Sequence, residues 1–411
     1  MSPVVDAGPP AGAEELAERF GTPLYVFDGT RLAQETSAFQ RAWGPGVTVA
    51  YSLKSNPLMG IVRRLHRAGA WAEVASGFEY RCARRAGVPA NEIIFNGPHK
   101  PDVDLRLALG EGAVVIADGV DQLRRIIAMR SSIAPGAQIG LRLSPPGRER
   151  VDRFGLTRRH AHAAAAMLDR VGLHLSGLHT HLGAYQLGPL APTGPPIHSV
   201  TVEYPVPIER FAAAAGHLAQ VAREIGGVEW LDLGGGWPAA PGLAPYVQAV
   251  RDAVGADRVR LVLEPGRALV RDSGWLLVRV VERRSGGAVV VDAGITQVPC
   301  VQWKRSPVHM VGPRDGELRP TSLFGPLCLQ HDAIARDVPL PVLRVGDLLW
   351  IGQTGAYAMA QASPFIHLRP AAILLEAGRG TLLRARETDD EALGSQAEPL
   401  LVGVDGQAVW A

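Results

Sequence analysis

Lysine is nearly missing from this 411-residue chain, although cationic residues are not. Lysine and arginine together number 42, and only Lys54, Lys100 and Lys304 are lysines. Arginine therefore supplies almost every surface cation, and its guanidinium stays protonated and does not condense with carbonyl groups. A lysine amine can form a Schiff base with an aldehyde. Lys54, at the end of an apolar stretch, is therefore a candidate anchor for a carbonyl cofactor, although a lysine that merely extends from a strand end to solvent has the same local sequence.

Further absences narrow the class of protein. Cys82, Cys300 and Cys328 are the only cysteines, which is too few for a disulfide framework and is typical of a reducing cytoplasm. The net charge of +2 gives no reason to expect a nucleic-acid partner. No apolar run reaches the length of a membrane span, and residues 1–15 lack the pattern of a signal peptide. We therefore expect a cytoplasmic protein without a nucleic-acid or membrane partner.

Short apolar runs alternate with amphipathic helical stretches over the first two thirds of the chain. The chain is longer than one hydrophobic core usually serves, so two domains are expected. Eight runs followed by helices favour a (β/α)8 barrel, and an open doubly wound sheet has the same alternation. The glycine triplet after the seventh run favours the barrel, because phosphate sites there often follow strands seven and eight. The predicted strands span 47–53, 71–74, 93–95, 113–116, 138–143, 176–181, 230–233 and 260–263.

After residue 270 the pattern changes to strands separated by turns. Predicted strands span 275–281, 288–291, 340–349, 371–375 and 382–386. We assign residues 30–270 to the barrel, and residues 1–29 with 271–411 to a mostly β domain. Residues 188–196 are rich in proline and glycine and too long for a routine loop, so they are expected to form a lid or a disordered insertion.

Polar side chains stand at the carboxyl end of every predicted barrel strand. This end of a barrel is where active sites form, and eight polar ends in succession are hard to explain as structure alone. In chain order they are Lys54; Glu73 and Ser76; Asn96; Asp118; Arg142; His179 and His181; Asp232 with Gly234, Gly235 and Gly236; and Glu264 with Gly266 and Arg267.

Two kinds of site are compatible with these residues. The glycine triplet exposes backbone N–H groups that suit a phosphate, Arg267 could add a cation, and Glu264 could keep a ring nitrogen protonated. Each residue alone is also compatible with a turn, a surface arginine or an ion pair. His179 and His181 lie on one side of a strand, as in zinc or iron sites. A metal site at these histidines would lack a clear third and fourth ligand and would leave Lys54 unexplained, so no metal is expected.

A set of short motifs in fixed order resembles one known family. The set resembles the fold-type III pyridoxal-phosphate-dependent decarboxylases, the group of diaminopimelate and ornithine decarboxylase, over roughly residues 20 to 375. Each motif alone is weak, and the ordered set is specific. The motifs are residues 50–56 around Lys54, 75–79, 153–155, 179–183, 232–236, 264–267, 325–328 with Asp332, and 355–357 with Phe365.

The resemblance implies a role for each matching residue. Lys54 would form the Schiff base with pyridoxal 5'-phosphate, His181 would stack on its ring, and Glu264 would pair with the ring nitrogen. Cys328 would return a proton to Cα after carbon dioxide leaves, from across the interface of a head-to-tail homodimer. The phosphate would be held by Gly234, Gly235, Gly236, Gly266, Arg267 and Tyr357, and the substrate by Asp332, Arg142, Leu329 and Tyr357.

Four positions depart from the family pattern. Ala184 replaces a serine near the phosphate, and Glu73 replaces an aspartate beneath the cofactor. Leu329 replaces an acidic residue that contacts a distal ammonium group, and residues 298–300 lack an arginine that holds a distal carboxylate. The substrate is therefore expected to be a non-standard or conjugated amino acid of secondary metabolism, with residues 184–207, Lys304 and Arg305 shaping its pocket.

Several alternatives stay open at this stage. A racemase or epimerase needs a base on each face of Cα, and Cys328 and Lys54 could supply them. Diaminopimelate decarboxylase itself, and a pyridoxal-phosphate-binding homologue without catalysis, share the same motifs. A metal-dependent hydrolase would instead bind metal at the two histidines.

Overall fold

A computed structural model describes most of the chain. The described residues are 8–147, 153–183, 204–255 and 259–394, together with the backbone of four short strands at 185–187, 200–202, 401–402 and 408–409. The predicted lid at 188–196 lies outside these residues, and so does Ala184. Every helix in the described part of the chain is too short or too polar to cross a bilayer.

The first elements precede the barrel in sequence. They are helix α1 (Ala13–Phe20), strand β1 (Leu24–Asp28) and helix α2 (Gly29–Trp43). The Asp28 side chain accepts the N–H of Arg31 at 3.0 Å and so caps α2.

Eight parallel strands then close into a barrel, and the open doubly wound sheet is excluded. The expected (β/α)8 fold is confirmed, and all eight strands lie where the sequence predicted them, to within two residues. The barrel strands are β2 (Val47–Ser52), β3 (Trp71–Val74), β4 (Ile93–Phe95), β5 (Val114–Ala117), β6 (Gln138–Arg142), β7 (Leu175–His179), β10 (Trp230–Asp232) and β11 (Arg260–Leu263).

Helices connect the barrel strands. They are α3 (Met59–Arg67), α4 (Gly77–Ala86), α5 (Asp102–Gly110), α6 (Val120–Ala128), α7 (Arg158–Asp169), α8 (Ile208–Ile225) and α9 (Ala244–Val254), with the short α10 (Arg267–Val270) after the last strand. A two-stranded ribbon of β8 (Tyr185–Leu187) and β9 (Val200–Val202) interrupts the pattern between β7 and α8.

Trp230 fills the interior of the barrel. It is 1% exposed and packs with apolar residues of several strands. A Cβ atom at Gly177 would lie 2.1 Å from the Trp230 ring, so only glycine leaves room there. The interior is therefore a packed core, and ligand space is confined to the strand ends.

The remaining strands form a nine-stranded sheet that includes the N-terminal strand. β1 pairs with β12 on one side and with β18 on the other. Its members after the barrel are β12 (Gly274–Arg283), β13 (Val289–Val291), β14 (Val308–Met310), β15 (Arg319–Phe324), β16 (Ala333–Leu340), β17 (Leu348–Ile351), β18 (Ala371–Glu376) and β19 (Arg379–Arg384). Helix α11 (Asp389–Leu393) and the ribbon of β20 (Leu401–Val402) and β21 (Ala408–Val409) follow. The boundaries at residues 30 and 270 stay a prediction.

One predicted strand of this domain was wrong. The sequence predicted a continuous strand over 340–349, and the structure has β16 ending at Leu340 and β17 beginning at Leu348. The segment between them turns at Arg344, whose N–H donates to Asp347 at 2.7 Å. Strands β14, β15 and β16 were not predicted, apart from Leu340 at the end of β16.

Candidate active site

A cavity of about 700 Å3 opens at the carboxyl ends of the barrel strands. Its walls include Lys54, Glu73, Asn96, Arg142, His179, His181, Glu264, Arg267 and Tyr357, so most of the predicted strand-end residues meet in one place. Three aromatic side chains for which the sequence predicted no role also line the cavity, namely Phe154, Tyr204 and Trp237.

Lys54 lies in a single helical turn, Leu53–Ser55, directly after β2. Its Nζ is 3.2 Å from Oε2 of Glu73, and Ser52 donates its hydroxyl proton to the same oxygen. The side chain is 43% exposed, and it borders the cavity. Burial lowers the pKa of Lys54. The negative charge of Glu73, with smaller effects from Tyr357 and Glu264, raises it by more than burial lowers it, so the pKa of Lys54 is above its ordinary value. The free amine is therefore held as an ammonium ion.

Glu264 is a second carboxylate of the cavity, buried to 1% exposure. Asn96 donates an amide N–H to its Oε1 at 2.5 Å, and Nε2 of His179 lies 3.5 Å from its Oε2. Burial raises the pKa of Glu264, whereas Lys54, Asp232 and Asn96 act in the opposite direction. The pKa of Asp232 is raised well above its usual range, first by burial and then by the charge of Glu264. Of this pair, Asp232 is the group that holds a proton more tightly.

The expectation that no metal is bound stays a prediction. The sequence offered no clear third ligand beside the histidines, yet His179, Asp232 and Glu264 bring ligand-type atoms within 4.8 Å of one another. His181 is not in this group. Two of the three already have bonds inside the protein, because Asp232 accepts the N–H of Gly234 at 2.9 Å and Glu264 binds Asn96.

The glycine loop after β10 leaves a cradle for an anion. Gly234 and Gly236 have φ of +64° and +104°, which other residues rarely adopt. A Cβ at Gly235 would lie 2.9 Å from the Glu264 carbonyl oxygen, and one at Gly266 would lie 2.0 Å from the Ser55 hydroxyl. These close approaches explain why the loop and the turn before α10 are built from glycine. Gly235, Gly236 and Gly266 line the cavity, where backbone N–H groups suit a phosphate, whereas Gly234 is not among the lining residues and its N–H donates to Asp232.

Arg267 lies beside this cradle, between two aromatic rings. Its guanidinium carbon is 4.4 Å from the Tyr204 ring centre and 5.4 Å from that of Tyr357. Tyr357 has a φ of +59°, a strained conformation that its N–H bond to the Ser55 carbonyl at 2.8 Å holds in place. The rings restrict the Arg267 side chain without neutralising its charge, so the cation is free to face an anion.

His181 and Arg142 occupy the remaining walls. Burial and the charge of Lys54 lower the pKa of His181 well below its ordinary value, so the ring is neutral. Its Nδ1 accepts the N–H of Gly183 at 2.9 Å, which places its proton on Nε2. Arg142 pairs with Asp118 at 3.2 Å and lies 4.3 Å from the centre of the Phe154 ring. A flat ring could stack on a neutral imidazole, and that role for His181 stays a prediction.

Three of the predicted residues of the β domain lie elsewhere in the single chain, whereas Tyr357 lines the cavity. Cys328, Leu329 and Asp332 are not among the described residues that line the cavity. Cys328 is exposed, whereas Asp332 is 2% exposed. The Asp332 carboxylate accepts the N–H groups of Ile295 and Leu327, both at 2.8 Å. Within one chain Asp332 therefore anchors the loop that carries Cys328, and its contact with substrate stays a prediction.

Comparisons with known proteins agree with this geometry. The family model described as "Pyridoxal-dependent decarboxylase, pyridoxal binding domain" matches residues 30–187. The chain is 31% identical to the diaminopimelate decarboxylase of Deinococcus radiodurans, over 92% of this chain and 96% of that protein. It is 32% identical to that of Actinosynnema pretiosum, over 93% and 90%.

Two solved structures are similar along almost the whole chain. Diaminopimelate decarboxylase from M. jannaschii, in complex with L-lysine, has a TM-score of 0.82 and 25% identity, with 94% of both chains covered. Lysine/ornithine decarboxylase from Vibrio vulnificus, in complex with cadaverine, has a TM-score of 0.74 and 26% identity, with 88% of this chain and 97% of that chain covered.

Proposed function

Because this chain belongs to the fold-type III pyridoxal-phosphate-dependent decarboxylases and is an amino-acid decarboxylase, we propose that Lys54 binds the cofactor and that the substrate lacks a free distal ammonium group. Pyridoxal 5'-phosphate, when bound, withdraws electrons from the bond between Cα and the carboxylate. The protein binds and orients the cofactor and the substrate, and it holds or delivers the protons.

Lys54 and Glu73 prepare the attachment of the cofactor. The amine must lose a proton before it can react with an aldehyde. Oε2 of Glu73, 3.2 Å from Nζ, favours the protonated amine and fixes its position until that proton is lost. Ser52 and Asn96 also bind this carboxylate, which keeps it directed at the amine.

Glu264 and the glycine loop hold opposite ends of the cofactor in this proposal. A buried carboxylate favours protonation of a facing pyridine nitrogen through a charge-assisted hydrogen bond. The backbone of Gly235, Gly236 and Gly266 at the cavity wall suits the phosphate, with Arg267 as its cation. The close approaches that exclude side chains from this cradle support the fit.

Cys328 is proposed to deliver the final proton from a second copy of the chain. The thiol is exposed and is not among the described residues that line the cavity of its own chain, so a complete site needs another source for it. Phe365 and Ile366 of the β domain are 47% and 54% exposed, apolar surface of the kind that an interface covers. We therefore propose a head-to-tail homodimer in which each cavity receives the partner's Cys328 loop.

The substrate proposal depends on one observation about the cavity. Glu73 and Glu264 are its carboxylates in the described part of the chain, and both are engaged, by Lys54 and Ser52 in one case and Asn96 in the other. Neither is left to accept hydrogen bonds from a distal ammonium group. Leu329 stands where the family has an acid, and a buried ammonium group without a partner is unfavourable.

A panel of amino acids tests this proposal. Carbon dioxide release is measured with diaminopimelate, lysine and ornithine, and with Nε-acylated lysine and neutral aliphatic and aromatic amino acids. We expect a substrate without a distal ammonium to exceed diaminopimelate at least about tenfold in kcat/KM. The variant Leu329→Glu should raise the rate with lysine relative to that substrate.

A second candidate is diaminopimelate decarboxylation itself. Its support is the full-length similarity to diaminopimelate decarboxylases, at 31% and 32% identity. If diaminopimelate is turned over as fast as any other amino acid of the panel, this candidate is correct and the substrate proposal is wrong.

A further inference from the structure

Lys100 is a fully buried lysine without an acidic partner. Its side chain has 0% exposure, and no carboxylate of the described residues lies within ion-pair distance of it. Its Nζ donates instead to three neutral oxygens, the carbonyls of Gly97 and Ile116 and Oε1 of Gln122, at 2.8, 2.7 and 2.8 Å. Lysine is almost never buried completely unless it is paired, so this position requires an explanation.

The three acceptors join two neighbouring strand ends. Gly97 follows β4 and lines the cavity, and Ile116 lies in β5. Gln122, in α6, also accepts the N–H of Asp118 at 3.0 Å through the same oxygen. One ammonium group therefore fixes the chain where it leaves β4 and where it leaves β5. Gly97 has a φ of +102°, which favours glycine, and a Cβ there would lie 2.7 Å from the Ala75 carbonyl oxygen.

Asn96, the residue before Gly97, bridges the two carboxylates of the cavity. Its side-chain amide donates to Oε1 of Glu264 at 2.5 Å and to Oε1 of Glu73 at 3.3 Å. The side-chain oxygen Oδ1 of Asn96 is buried and has no hydrogen-bond partner among the described residues, so its N–H donors and its backbone orient the amide. The backbone of Asn96 is held on one side by its N–H bond to the Val74 carbonyl at 2.8 Å, and on the other by the Lys100 bond to Gly97.

We propose that Lys100 is a positioning residue that acts through Asn96, holding its amide between Glu73 and Glu264 and so directing Glu264 at the cofactor ring. This inference rests on the proposed function, because it assumes that Glu264 faces the ring nitrogen. The nature of the side chain fits the role. A compact ammonium group supplies three protons to three oxygens, whereas a planar guanidinium presents its donors as a wide fork. That difference explains why this arginine-rich chain has a lysine here.

A double-mutant cycle tests the proposal. The variants are Asn96→Ala, Lys100→Met and the two combined, with Arg106→Met on the adjacent helix α5 as the matched control, because Arg106 is exposed. The readouts are the dissociation constant for pyridoxal 5'-phosphate and the pH titration of the absorbance of the bound cofactor. Circular dichroism of each variant without cofactor reports whether the fold is retained.

The proposal predicts strong coupling in this cycle. Lys100→Met alone should weaken cofactor binding about tenfold and shift the absorbance titration, and in a chain that also carries Asn96→Ala its further effect should be less than about twofold. Arg106→Met should change neither readout. If Lys100→Met has the same effect in both backgrounds, or no effect in either, the proposal is wrong.

Two further variants distinguish a failure of this proposal from misfolding and from a failure of the proposed role of Glu264. Lys100→Gln keeps two donated protons and should fall between wild type and Lys100→Met, and it replaces Lys100→Met in the cycle if that variant does not fold. Glu264→Gln tests the underlying function separately. An unchanged absorbance titration in Glu264→Gln would refute the role of Glu264 whatever the coupling between Asn96 and Lys100.

Discussion

The amine of Lys54 lies 3.2 Å from the carboxylate of Glu73, on the neighbouring strand of the barrel. Ser52, at the end of β2, is paired in register with Glu73 of β3, so the side chains of Ser52 and Glu73 are neighbours at the carboxyl end of the barrel. Glu73 outweighs burial and keeps the pKa of Lys54 above its ordinary value. The reactivity of the amine is therefore set by its neighbour.

Removing the charge of Glu73 should make Lys54 more reactive at low pH. In Glu73→Gln the pKa of Lys54 falls, so more of the amine is neutral at any given pH. We expect the pH profile of cofactor incorporation into the cofactor-free protein to move at least about one unit lower. Glu18→Gln, which changes an exposed glutamate of α1, serves as the control. An unchanged profile would show that Glu73 does not control the amine.

Glu264→Gln should reduce catalysis and leave the cofactor attached. A neutral amide cannot stabilise a protonated ring nitrogen as a carboxylate does, so kcat should fall about 10²–10³-fold, the range found when one such electrostatic contact is removed. Covalent attachment depends on Lys54 and should persist. The comparison is with Glu14→Gln, an exposed position of α1. Full activity in Glu264→Gln would contradict its assigned role.

Mixing two inactive variants tests whether sites are shared between chains. Lys54→Ala lacks the amine and Cys328→Ala lacks the thiol, so each homodimer should be inactive. A mixed dimer would have one site with both groups intact, and random exchange should restore about a quarter of wild-type activity. No recovery, under conditions where mixed dimers are shown to form, would mean that Cys328 serves the cavity of its own chain or none.

Lys100 should make stability depend on pH above neutrality. Burial lowers its pKa from 10.5 to about 7. Between these values the unfolded chain binds the proton that the folded chain has lost, so stability rises with pH across this window, by up to about 1.4 kcal/mol per unit. The slope of the unfolding free energy against pH should be smaller in Lys100→Met than in wild type. Comparing these two proteins removes the contribution of Lys304, which has its own lowered pKa. Equal slopes would contradict the lowered pKa of Lys100.

The sequence predicted the barrel well because its strands are buried on both faces and read as continuous apolar runs. Closing the barrel brings the polar residues at the strand ends together, and Lys54, Glu73 and Glu264 line one cavity there. The β domain was harder. Strand β15 contains Pro320, and β16 contains Asp337 with a φ of +53°, so neither has a regular alternation.

Contacts between residues of distant strands could not be predicted from the sequence. Asn96 was noted as one strand end among eight, but its bond to Glu264 joins positions 168 residues apart and depends on how the barrel closes. Asp332 was expected at the substrate, and only the folded loop shows its carboxylate bound to two backbone N–H groups. Lys100 has an ordinary local sequence, and nothing in it indicates complete burial.

The most direct test of the account is to identify the residue that carries the cofactor. The purified protein is treated with borohydride, which reduces a Schiff base to a stable amine, then digested and analysed by mass spectrometry. We predict that the mass of the reduced cofactor is found on the peptide that contains Lys54 and is lost in Lys54→Ala, while Lys100 and Lys304 stay unmodified. Labelling of either of those lysines in place of Lys54, or of none, would contradict the account.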